Sequence, residues 1–120
     1  MTEQDKQLLL KDICSRLPYG VKVRRYVYTS PNSLIESVEL FNSDWLKELY
    51  MKEADFNPYL FPISSMSSKQ KAELTHLSEE SNSLFDQVLV EIDFYNKYHF
   101  DYRGLIEKSI AIDATNLNIY

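Results

Sequence analysis

Glycine is almost missing from this chain: there are two in 120 residues, Gly20 and Gly104. They are too far apart for one loop to use both in cradling a phosphate, which argues against the common nucleotide-binding loops. Cysteine occurs once, at Cys14, so no internal disulfide can form and the usage suits a reducing compartment. The two histidines, His76 and His99, are too few for the usual zinc sets. His99-Phe100-Asp101 is an H-x-D pair, but two ligands do not make a site, so neither a metal nor another cofactor is expected. Long apolar runs are also lacking. Leu8-Leu9-Leu10 is three residues long, and nothing approaches the roughly 18 residues of a membrane span. Met1 to Lys6 carries no basic leader, so the expectation is a cytoplasmic chain without membrane contact.

What is present suits one globular domain over 1–120. The hydrophobic share is 44%, far from the composition of disordered chains, and enough for a core without staples. The formal charge of −5 repels nucleic acid and anionic membranes alike.

The pattern along the chain predicts an α+β fold. Thr2 with Asp5 forms an acidic capping box opening a helix over about 3–16. Leu9, Ile13 and Leu17 make its apolar stripe, widened by Leu10 and Cys14, and Pro18 and Gly20 stop it. A hairpin follows over about 21–41. Val21-Lys22-Val23-Arg24 alternates, and Ser30-Pro31-Asn32-Ser33 has type I turn chemistry. The alternation slips at Arg24-Arg25, so either Arg25 faces the core or a bulge resets the register. Residues 43–53 stay open between a short helix capped at Ser43-Asp44 and a third strand at about 45–51, giving a small antiparallel sheet that is SH3-like at most. Asn57 to Pro62 must be extended, because each proline drives the residue before it out of the helical region. Ser67 with Gln70 caps a solvated helix over about 68–80. A stronger helix over about 84–98 carries Leu84, Val88 and Ile92 on one face, broadened by Phe85, Leu89 and Tyr95. After a turn at Gly104, Ser109 to Asp113 alternates.

Three candidate chemistries emerge. Asp101, Tyr102 and Arg103 offer a carboxylate, a phenol and a guanidinium to a protein partner, or else finish a helix, with Arg103 paired to Asp101 or to terminal carbonyls. Lys22, Arg24, Arg25 and Tyr26 form the one nucleic-acid-like run, able to track phosphates and stack bases, against the opposing net charge. Cys14, His99 and Asp101 are the groups a small enzyme would need, but no nucleophile elbow surrounds them, and a thiol in an apolar stripe is inert. Nine tyrosines favour an interaction protein, since tyrosine is enriched at binding surfaces. The favoured reading is therefore a non-enzymatic interaction protein, with nucleic-acid binding as the alternative.

Leu17 to Lys22 (LPYGVK), Pro58 to Met66 (PYLFPISSM) and His99 to Ile112 (HFDYRGLIEKSIAI) together resemble a family of small uncharacterised proteins from gut bacteria and their prophages. They cover about a quarter of the chain. The resemblance implies a helix, a small antiparallel sheet ending at the PYLFP segment, and C-terminal helices packed on it. It tilts 45–51 toward a strand and suggests an accessory protein of a prophage or mobile element. Relatives often carry arginine in place of Phe61 and glycine in place of Ser109.

Overall fold

The computed structural model describes residues 2–30, 33–47 and 56–120. Helix α1 (Glu3–Arg16) opens on the expected capping box, with the Thr2 hydroxyl accepting from Asp5 N–H and the Asp5 carboxylate accepting from Thr2 N–H. A 3-10 turn at Leu17–Tyr19 ends on Gly20 at φ 73°, in the left-handed region that glycine enters without strain. Strands β1 (Lys22–Ser30) and β2 (Ser33–Leu40) form the antiparallel hairpin. Pairing is continuous from Lys22↔Leu40 to Tyr28↔Leu34 and shifts only between Tyr28 and Ser30. There is thus no bulge at Arg24-Arg25. Arg25 stays in phase with Val23 on the core face, where its guanidinium lies 4.4 Å from the Trp45 ring centroid and 5.9 Å from that of Phe56. The turn residues Pro31 and Asn32 lie outside the described residues.

Asn42 accepts Asp44 N–H at 2.9 Å and starts a 3-10 turn at Ser43–Trp45, which continues helically through Leu46 and Lys47. The start of the expected third strand is therefore helical, and the rest of 45–51 lies outside the described residues. Strand β3 (Asn57–Pro62) takes the third place in the sheet. It pairs antiparallel with β1 at Val23↔Pro58 and parallel with two short strands, β4 (Phe100–Asp101) and β5 (Ile112–Asp113). The strand order is β2-β1-β3-β4, with β5 also on β3. The sheet is thus mixed, and its parallel ladders take it beyond an SH3-like, all-antiparallel arrangement. Of the alternating run at 109–113 only β5 pairs, because Ser109 sits at φ 61° and bends the chain.

Helices α2 (Ser68–Glu79) and α3 (Leu84–Lys97) form a hairpin, capped by Ser67 with Gln70 and by Ser83, whose hydroxyl accepts Asp86 N–H. Among the described residues two apolar clusters result. Leu9 and Ile13 of α1 pack on Val21, Val23, Leu60 and Leu105 in the first. Met66, Phe94 and Phe100 form the second, with Leu74 and Leu77 of α2 against it.

One helix face differs from expectation, and the direction of a second is settled. Cys14 is exposed, because the buried stripe of α1 runs Leu9, Asp12, Ile13, Arg16 at i, i+3, i+4, i+7, and residue 14 falls outside it. On α3 the buried side chains are Phe94 and Asn96, whereas Leu84, Phe85, Val88, Leu89 and Ile92 are exposed.

Candidate functional site

The Asp101–Arg103 turn is spent on the fold. Asp101 accepts Leu105 N–H and Ile106 N–H at 2.9 Å each, one on each carboxylate oxygen, and so holds the turn that follows Gly104. Tyr102 donates to Asn96 Oδ1 at 3.0 Å and its ring stacks on Tyr95. Arg103 pairs with Asp12 across the molecule at 3.1 Å, and not with Asp101.

That last contact completes a buried charge cluster. Asp12 and Arg16 are both fully buried, with Arg16 Nε donating to Asp12 Oδ2 at 2.8 Å and Nη2 donating to Asp12 Oδ1 and to the Phe100 carbonyl. Both guanidiniums lie over the Tyr102 ring, at 5.3 Å for Arg16 and 4.7 Å for Arg103. Arginine tolerates such burial because its weakly hydrated, planar head satisfies carboxylate, carbonyl and ring together.

Beside it, His99 takes φ 63° and stacks on Tyr120 with ring centroids 3.7 Å apart. Tyr120 donates to the Tyr59 carbonyl at 2.7 Å and accepts Lys22 N–H at 2.8 Å, tying the final turn to β1 and β3. Burial pushes the Tyr120 phenol up to about 12. Burial, with help from the nearby charges of Arg16 and Lys22, lowers His99 to about 4. A folded-state value below the unfolded one means that the unfolded chain binds the extra proton between about 4 and 6.5. The stability His99 contributes is therefore present above 6.5 and is lost as pH falls through that window. We expect the wild-type melting temperature to drop more steeply from pH 7 to 4.5 than that of His99→Gln; parallel profiles would refute the assignment.

The basic strand is likewise engaged. Lys22, Arg24 and Tyr26 share one face of β1 and Arg25 lies on the other, so the four do not form one platform. Lys22 Nζ donates to the Ile119 carbonyl at 2.6 Å, Arg24 donates to Asn57 Oδ1 at 2.9 Å, and Arg25 faces Glu39 at 3.7 Å. Several of the described tyrosines act as struts or core residues: Tyr19 bonds Asp93, Tyr98 bonds Glu73, and Tyr59 is buried. Of the groups proposed for catalysis, Cys14 is exposed, His99 rests on Tyr120, and both Asp101 oxygens are occupied. Among the described residues no group of three or more His, Cys, Asp or Glu side chains could hold a metal ion.

The outer face of α3 is different in kind. Leu84 is 78% and Phe85 72% exposed, and Val88, Leu89 and Ile92 join them. At 3.6 residues per turn the five span an arc of roughly 140°, a continuous stripe. No family model, curated protein or solved structure matches the chain. The stripe therefore has to be read from its own chemistry. Its periodicity was legible in the sequence; its direction was not, because periodicity marks a face without saying what lies against it.

Proposed function

We propose that this chain is a non-enzymatic binding module that engages a protein partner through the exposed apolar stripe of α3. The observation that carries this reading is the exposure of five large apolar side chains on one helix. Contiguous exposed apolar patches on a monomer surface often mark interaction sites, whereas single scattered apolar residues do not. A helix presenting anchors at i, i+1, i+4, i+5 and i+8 matches the way helices seat in partner grooves. No helix among the described residues is long and apolar enough to cross a membrane, so α3 is not a span. The resemblance to proteins of gut bacteria and prophages supports placing this module among mobile-element accessory proteins.

A photo-crosslinking amino acid at Phe85 or Leu89 tests the reading in host cells. Discrete protein adducts are expected at both positions and not at Lys108, an exposed site off the stripe. Equal adducts at all three positions would refute it. Phe85→Ser and Leu89→Ser should each change folding stability by no more than about 0.5 kcal/mol, as is usual for surface positions, while removing the adducts formed at the neighbouring probe.

A further inference from the structure

The stripe is bordered by one sign of charge. Residues 79–96 hold five carboxylates, Glu79, Glu80, Asp86, Glu91 and Asp93, and neither lysine nor arginine. Lys97 at the end of α3 is paired with Glu73 at 3.6 Å, Glu80 lies beside His76, and Asp93 accepts from Tyr19. On the α3 helix Asp86 and Asp93 follow one edge of the apolar arc and Glu91 the other. The structure adds α2 to this border. Glu79 and Glu91 line one groove between the helices, Glu80 and Asp86 line another, and Asp93 sits in a hollow with Leu89 and Ile92.

We infer that the occupant of this face is a basic amphipathic helix from another protein, its apolar side on Phe85, Val88 and Leu89 and its cations on Asp86 and Glu91. The inference rests on the binding-module reading and names the chemistry of its partner. Three features select this occupant. The contact surface is itself a helical stripe of more than two turns, whose ridges and grooves match another helix. An acidic rim lacking basic residues attracts cations and rejects a negatively charged partner. A second copy of this chain would set Asp86, Glu91 and Asp93 against the same residues, and an anionic membrane would be repelled in the same way.

The test uses the full chain and three labelled eighteen-residue peptides. One is an amphipathic helix of leucine and lysine, one has glutamate in place of every lysine, and one scrambles the leucine–lysine sequence so that no apolar face forms. Fluorescence anisotropy is expected to give at least tenfold tighter binding of the leucine–lysine helix than of either control. That binding should weaken severalfold from 50 to 300 mM salt, and also in Phe85→Ser and in Asp86→Lys with Glu91→Lys. Equal binding of the glutamate peptide, lost in Phe85→Ser, would overturn the basic occupant while sparing the module. So would self-association in sedimentation, or capture by phosphatidylglycerol vesicles, if abolished by Phe85→Ser. Equal binding of the scrambled peptide would also overturn it. Absence of all binding would overturn the occupant, and only absence of crosslinks at Phe85 and Leu89 as well would remove the module.

Discussion

Asp12→Ala is expected to cost about 3–5 kcal/mol of folding stability, because it strands a guanidinium in the interior. Asp12 accepts from two arginines, and one of them, Arg16, is fully buried with its Nη1 lacking a partner among the described residues. Removing the carboxylate leaves Arg16, among the described residues, the Phe100 carbonyl at 2.7 Å and the Tyr102 ring. Arg103 is less affected, since it can turn to water. Chemical denaturation measures the loss, and a shift under about 1 kcal/mol would contradict the burial described here. Asp12→Leu combined with Arg16→Met supplies the control. Replacing both charges by apolar groups of similar volume should recover most of the loss, since desolvation of an ion pair offsets much of its attraction.

Phe100→Ala should cost a similar amount, about 3–5 kcal/mol, through lost burial and the cavity left behind. The ring lies parallel to Phe94 with centroids 6.3 Å apart, meets Tyr95 edge-on, and contacts Phe61. It therefore anchors the C-terminal half of α3 to β3. Phe100→Leu keeps most of the volume and should cost less than about 1.5 kcal/mol. Phe100→Ala keeps the main-chain carbonyl that accepts from Arg16, but collapse around the lost ring would shift it, so a double-mutant cycle with Asp12→Ala should show a coupling above about 0.5 kcal/mol. Strict additivity would mean that the charge cluster and the aromatic cluster are independent.

Legibility in the sequence followed the range of the interaction. Thr2 with Asp5 and Ser67 with Gln70 are three residues apart, and both capping boxes form as read. The hairpin, and the choice between a bulge and an inward Arg25, also rested on neighbouring residues, and the register resolves to the inward arginine. Local pattern does not show remote partners. Hydrophobicity placed Cys14 in the buried stripe of α1 and left out Asp12 and Arg16, since nothing nearby announces that Arg103 and the Phe100 carbonyl will complete the pair. The prolines of 57–62 fixed an extended segment but could not reveal two parallel partners. The Asp101–Arg103 turn was found as a dense polar cluster, yet the same bonding capacity that suits a ligand serves Leu105, Ile106, Asn96 and Asp12. On α3, a stripe of apolar residues reads the same whether it meets a core or solvent.

The ion cluster also sets a timetable for synthesis. Arg16 and the Phe100 carbonyl are 84 residues apart, and Asp12 and Arg103 are 91 apart. At ribosomal speeds of about 5–20 residues per second, roughly 5–20 s separate the emergence of α1 from that of its counterparts. Throughout that interval Asp12 and Arg16 can bond each other, as an i, i+4 pair within α1, but not their remote counterparts. The set of groups that meets the polar side of α1 in the fold is thus complete only once residues 100–103 have emerged.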